Sequence, residues 1–477
     1  MTMSAQDEVV RLASELIRID TTNSGGGQAR ERPAAEYVAA ALAEVGLEPV
    51  LLERTPGRGN VVARLEGSAP GRPALLVHGH LDVVPAEPSD WSVHPFSGEV
   101  RDGVLWGRGA VDMKNAVAVA VAVARDLVLS GRRPVRDVVF AFTADEEDSA
   151  ADGAAWLAGE HADLFEGCTE GIGESGAFTF HAAPGVRLYP VGAGERGTAW
   201  LTLTARGTAG HGSRPNARNA VTALAAAVTR IGEHQWPIRV TPTVRAALVA
   251  IAEALGVEVG RFGVGGVGGA GVAAGGAGSA CVDAGGVGGV GVDAGGVGGV
   301  GVDAADVEAL LARLGPAVKL IAPVLRNSSN PTMLQAGYKI NVIPAAATAH
   351  VDGRVLPGCE EEFRAALNEL TGPDVDWEYY HEEVPLEAPL DAPLVARMTD
   401  ALLAEDPGSW VVPYCMAGGT DAKHFSQLGI AGYGFTPLAL PPGYDYHAMF
   451  HGVDERVPVS ALQFGVRVMD RLLTDAG

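Results

Sequence analysis

The chain has 477 residues, enough for two or three domains and an ample core. Its formal net charge of −23 argues against nucleic acid and anionic membranes as partners, because binding phosphate requires a basic surface. The four cysteines (Cys168, Cys281, Cys359, Cys415) stand far apart with no CxxC pair, which suits a reducing cytoplasm and offers no disulfide framework.

At the N-terminus, MTMSAQDEVVRL lacks the charged and apolar regions of a signal peptide, so a cytoplasmic location is expected. Val9, Val10, Leu12, Ala13, Leu16 and Ile17 recur at helical spacing, as do Ala34, Tyr37, Val38, Ala41 and Leu42 before Gly46. Short apolar runs at 61–65, 74–78 and 138–143 predict buried strands, and the stretch 115–129 between the last two predicts a helix. That apolar helix is interrupted by Arg125 and Asp126 and is too short to span a bilayer. The alternation predicts an α/β domain whose mixed, largely parallel sheet is flanked by helices, with chemistry gathered beyond the carboxyl ends of the strands.

Near Gly192 the character changes. Residues 199–204 alternate as a strand, the loop GTAGHGSRPNARN follows, and 220–231 is helix-like; 346–355 predicts another strand and 360–370 another helix. Residues 192–384 are therefore expected to form a smaller inserted α+β domain, and 1–191 with 385–477 a discontinuous first domain. Within the insertion, 262–304 is Gly/Val-rich, with VDAGGVGGVG twice in tandem from Val282 and Val292. Its ten-residue unit differs from the nine-residue calcium-binding β-helix repeat, so a flexible low-complexity insertion is expected.

Five positions suit one two-metal site: His80 in VHGHLDVVP, Asp112 in GRGAVDMKN, Glu147 in TADEED, Glu174 in GIGESGAF and His451 in MFHGVDERV. Two nitrogen donors and three carboxylates fit zinc or a similar borderline ion, with one carboxylate bridging two ions. Glu146, beside a proposed ligand, suits a general base for metal-bound water. Asp82, two residues beyond His80, is placed to hold the imidazole N–H with its carboxylate. Each residue alone has a plainer explanation: His80 as a core histidine, Asp145–Asp148 as a solvated acidic loop. The joint pattern of His-x-Asp after a strand, Asp before a helix and paired Glu after a strand outweighs them. His78 and His94 have ligand chemistry but are assigned structural roles.

HGHLDVVP, DGVLWGRGAVDMK, TADEE, GHGSRP, NVIP, DGR and GGTDA, in this order, resemble the dinuclear-zinc aminoacylase and carboxypeptidase family. Its members include acetylornithine deacetylase, succinyl-diaminopimelate desuccinylase, glutamate carboxypeptidase and dipeptidases. The resemblance covers nearly the whole chain except the Gly/Val repeat. It implies a zinc-exopeptidase-like catalytic domain with an inserted lid and dimerisation domain, and a homodimer through that insertion. It implies two divalent ions per chain, zinc with cobalt or manganese able to substitute, bridged by Asp112. His80 and Glu174 would complete one site, and Glu147 and His451 the other. Glu146 would be the general base, and His211 would stabilise the oxyanion. Asn341, Arg354, Gly418, Gly419 and Thr420 would hold the substrate carboxylate, for which a guanidinium is well suited. A cis peptide between Asp112 and Met113 is implied too. GESGAF departs from the family, in which many members carry a glycine pair after the glutamate.

The expected activity is metal-dependent hydrolysis of an amide bond beside a free carboxylate, as in a dipeptide, a peptide C-terminus or an N-acyl amino acid. The alternative is a non-catalytic metal- or ligand-binding relative of the same fold. Such a relative should have lost the general base or a ligand first, and all six residues are present.

Overall fold

Two of the strands that lead to the proposed site are buried end to end. In the computed structural model, which describes residues 4–259, 282–283 and 303–475, β1 (Val50–Glu53), β2 (Gly59–Leu65) and β3 (Ala74–His80) come first. They are followed by β4 (Glu99–Arg101), β5 (Val104–Trp106), β6 (Val138–Thr143) and β7 (Cys168–Gly173). Every residue of β3 and β6 is buried, as expected of central strands covered on both faces. The sheet runs β1-β2-β6-β3-β7, then the strand Ala431–Gly434. β6, β3, β7 and Ala431–Gly434 are parallel, whereas β1 and β2 are antiparallel to their neighbours. The sheet is thus mixed, with parallel pairing confined to its centre.

Helices cover both faces. α1 (Ala5–Arg18), N-capped by Ser4, buries Val9, Leu12, Ala13, Leu16 and Ile17, and packs on α3, which follows α2 (Arg32–Ala43). α3 (Lys114–Leu129) is buried almost all round, because it also packs against β3 and the C-terminal helix Val459–Thr474. On the opposite face Leu76, Val139 and Ala141 meet Leu157, Phe165 and Phe425.

The chain divides into two compact units: Met1–Ala193 with Ala388–Tyr414 and Thr420–Gly477, and Gly194–Glu387 with Cys415–Gly419. The second holds a four-stranded antiparallel sheet in the order Ser328–Ala336, Ala346–Val355, Gly197–Arg206, Val375–Glu383. Its core joins Leu201, Leu203 and Val351 to Leu224 and Ile231 of the helix Ala220–Glu233 and to Phe363 and Leu367 of Glu360–Thr371. Most of the Gly/Val-rich stretch 262–304 lies outside the described residues. Cys168 and Cys415 are free and buried.

Candidate metal centre

Three neighbouring parallel strands end at one edge. β3 ends on His80, whose register partner on β6 is Thr143, three residues before Glu146; β7 stops one residue before Glu174. Topology alone therefore gathers His80, Glu146, Glu147 and Glu174. Asp112 joins them just ahead of α3, across a cis Asp112–Met113 peptide, and His451 arrives on a late loop with φ of 54°. His80 Nε2 lies 3.1 Å from Asp112 Oδ1 and 3.9 Å from both Glu146 Oε2 and Glu174 Oε2. His451 Nε2 lies 3.3 Å from Asp112 Oδ2 and 3.1 Å from Glu147 Oε2. The two oxygens of Asp112 thus face two different imidazoles.

His80 Nδ1 donates to the backbone carbonyl of Asp82 at 3.0 Å, and without metal Nε2 donates to Asp112 Oδ1 at 3.1 Å. Burial opposes the charge on this ring, but its carboxylate neighbours outweigh it and raise the imidazole well above its ordinary value. The Asp82 carboxylate is farther from Nδ1, at 3.5 Å. Side chain and backbone of Asp82 thus both face that ring nitrogen. In addition Asp82 Oδ1 accepts the Glu146 N–H at 3.2 Å, and Oδ2 accepts the Glu147 N–H at 3.1 Å and the Asn23 amide at 2.9 Å. It therefore fixes the backbone of the glutamate pair.

Burial pushes Glu146 and Glu174 well above the usual carboxylate range, and Glu174 raises Glu146 further by repulsion. Glu147 is raised by burial and by Asp112. Burial opposes the Asp112 charge, but hydrogen bonds from His451 and His80 outweigh it and hold this carboxyl below its ordinary value. His451 is pushed up to about 10, chiefly by Asp112 and Glu147. Glu147 Oε1 is buried without a hydrogen-bond partner. An unsatisfied carboxylate oxygen among mutually repelling acids is what a divalent cation would relieve, so the donor set fits a metal. Among the described residues two groups lie within ligand reach, His80 with Glu146 and Glu174, and His80 with Asp112 and Glu147.

A family model described as peptidase family M20/M25/M40 matches residues 76–475. The chain belongs to that family. It is 24% identical over 466 residues to the N-fatty-acyl-amino acid synthase/hydrolase PM20D1 of Xenopus tropicalis, covering 93% of this chain and 80% of that one. A succinyl-diaminopimelate desuccinylase of Cereibacter sphaeroides is 34% identical over 238 residues, 47% of this chain and 56% of that one. A solved M20 family metallo-carboxypeptidase from Sulfolobus solfataricus superposes with a TM-score of 0.67 at 16% identity, over 98% of each chain, and supports the fold. The protein is accordingly a metallohydrolase of the M20 family, with the α/β fold of its relatives.

The remaining residues singled out in this M20 chain fall elsewhere. His78 is buried with Nε2 unpartnered, its ring 5.2 Å from Phe425 and its pKa pushed down to about 4 by burial. His94 is exposed, and its Nδ1 accepts the Phe96 N–H. Neither joins the cluster. Thr420 is buried in the first unit, where its hydroxyl accepts the Ala422 N–H. His211, Asn341, Arg354, Gly418 and Gly419 belong to the second unit. There the short ladder Gly210–His211 with Val342–Ile343 brings His211 beside Asn341, whose carbonyl accepts the Gly212 N–H. His211 is exposed, and Nδ1 accepts the Ser213 N–H at 3.2 Å, which leaves the ring proton on Nε2. Arg354 is engaged by Asp352 at 2.9 Å and by Thr198 at 3.1 Å.

Three supporting residues were missed by sequence reasoning. Asn23 bridges Asp82 and Asp145; Arg58 links Glu31 to Asp145, just before Glu146; Glu455 grips the loop that leads to Asp112. Only the placement of Glu455 four residues after His451, in HGVDERV, offered a signal.

Proposed function

We propose that this protein hydrolyses an amide or peptide bond next to a free carboxylate, with two divalent ions, zinc foremost, shared through Asp112. The observation that carries the proposal is the placement of the two Asp112 oxygens, 3.1 Å from His80 and 3.3 Å from His451. His80 and Glu174 would hold one ion with Asp112, and Glu147 and His451 the other. When bound, such a pair supplies Lewis acidity to a water nucleophile and a substrate carbonyl. Glu146 would take the proton from the water and return it to the leaving nitrogen, from a backbone anchored by Asp82. His211 would donate its Nε2–H to the developing oxyanion.

Asn341 and the turn at Gly418, Gly419 and Thr420 would receive the substrate carboxylate. Arg354 would share in this only by partly leaving Asp352. A homodimer through the second unit is part of the same proposal, supported by the edge strand Ser328–Ala336, which exposes Met333 and Leu334. Among the described residues no helix is long and apolar enough to cross a membrane. The cytoplasmic location stays within the proposal. Assay of the zinc-loaded protein against dipeptides and N-acyl amino acids tests the substrate class; no turnover on either set overturns it.

Elemental analysis after loading is expected to approach two ions per chain; full activity with one ion would refute the shared Asp112. Because His451 is pushed up to about 10 by its carboxylate neighbours, it holds a proton at neutral pH without metal. Binding must expel that proton, so affinity rises with pH. Calorimetry in buffers of differing ionisation enthalpy should register proton release, and an enthalpy independent of buffer would contradict it.

His211→Ala is expected to lower kcat strongly while leaving metal affinity unchanged, since the side chain would act only on the transition state. A loss confined to metal content would remove His211 from that role.

A further inference from the structure

The loop ending on Asp112 is held by one residue from the far end of the sequence. The strand Arg456–Pro458 pairs antiparallel with β5, setting Arg456 opposite Trp106. One step beyond that ladder, the Glu455 backbone carbonyl accepts the Gly107 N–H at 2.9 Å. The Glu455 carboxylate is fully buried. Its Oε1 accepts the N–H groups of Val111 at 2.6 Å and Asp112 at 3.0 Å. Its Oε2 accepts the Gly109 N–H at 3.1 Å and the Arg108 guanidinium at 2.7 Å. Burying a carboxylate is costly unless its lone pairs are satisfied, and here both oxygens are, largely by the backbone of one short loop.

Arg108 alone would neutralise the charge. The grip on Val111 and Asp112 does something further: it sets the direction of the backbone from which the Asp112 side chain leaves. Glu455 also lies four residues after His451, within the loop that delivers that imidazole to Asp112 Oδ2. Between His451 and Glu455 the chain is anchored again, since Asp454 accepts from the Ser92 N–H and hydroxyl at 2.7 and 2.6 Å.

We propose that Glu455 is a positioning residue that couples the two ligand-bearing segments, holding Asp112 and His451 in one geometry so that both ions are bound together. The proposal rests on the metal reading given above. It predicts that loosening Glu455 weakens metal binding although Glu455 touches no ion. Outer hydrogen-bond partners of metal ligands typically contribute ~10–100-fold in affinity.

Three variants test it: Glu455→Asp, Glu455→Gln and, as a control, Asp112→Asn. Each would be titrated with cobalt by calorimetry, its cobalt absorption spectrum recorded, and its metal-free melting temperature measured. Glu455→Asp keeps a charge for Arg108 but draws the carboxylate back from the 111–112 backbone. It is expected to fold, to bind cobalt at least about tenfold more weakly and to show an altered spectrum. Glu455→Gln should shift both further in the same direction; if it fails to fold, Glu455→Asp decides. Wild-type affinity and spectrum in a folded Glu455→Asp, with or without a lower melting temperature, would overturn the coupling and leave a purely structural carboxylate. If Asp112→Asn also binds two ions normally, the shared-ion reading falls first, and the positioning role with it.

Discussion

Glu146→Gln is expected to abolish turnover while keeping both ions. The fall in kcat should span several orders of magnitude, beyond the roughly 10²–10⁴ that a positioned proton-transfer group usually contributes. The expectation depends on local geometry. The Glu146 backbone is fixed by the Asp82 carboxylate at 3.2 Å, and glutamine has the same shape, so the loop should not move. What changes is the ability to accept a proton. The substitution also separates two roles, because Glu146 Oε2 stands at the same 3.9 Å from His80 Nε2 as Glu174 Oε2, within ligand reach. If Glu146 were a ligand, Glu146→Gln would lower metal content together with kcat; as a base it lowers kcat alone. Glu147→Gln supplies the contrast, since loss of that carboxylate should reduce metal occupancy. Near-normal turnover in Glu146→Gln would remove it from the mechanism.

The cluster was legible because it is built from strand ends. An apolar run followed by His80, and another followed by the Glu146–Glu147 pair, announce where β3 and β6 stop. The helical period from residue 115 announces the element that Asp112 precedes. The antiparallel margins of the sheet were not legible, because strand direction is set by partners distant in sequence. The strand Ser328–Ala336 and the helix Pro242–Ala254 escaped notice as well, the former lacking a buried face along most of its length. Least visible was the hydrogen-bonding behind the ligands. Asn23, Glu31 and Arg58 come from turns and helix edges whose composition is ordinary, and they meet Asp82 and Asp145 only after folding. The Asp82 carboxylate illustrates the same limit: spacing placed it beside His80, 3.5 Å from Nδ1, but its hold on the backbone of Glu146 and Glu147 arises only after folding.

Arg58→Met is expected to destabilise the metal-free protein by about 3–5 kcal/mol, the usual consequence of removing one partner from a buried ion pair. Arg58 is almost wholly buried, and its guanidinium reaches Glu31 at 2.7 and 2.8 Å and Asp145 at 2.7 Å. Burial already lifts Glu31 above its ordinary range in spite of Arg58. Without the arginine its folded pKa must rise further, and the folded state would bind a proton more tightly than the unfolded chain. A carboxyl with a raised folded pKa stabilises at low pH and loses that contribution as pH rises. The deficit of Arg58→Met should therefore grow from about pH 4 toward neutrality, and Glu31→Gln placed on top of it should recover part of the loss. Urea midpoints of the single and double variants at pH 4.5 and 7.5 would measure this. A deficit independent of pH would mean that lost packing, not uncompensated charge, is responsible. The effect should also reach the chemistry. Asp145 has a left-handed φ of 68° and is tied through Arg58, Asn23 and Ser149, immediately before Glu146. At temperatures where Arg58→Met remains folded, its kcat should fall more than its KM rises.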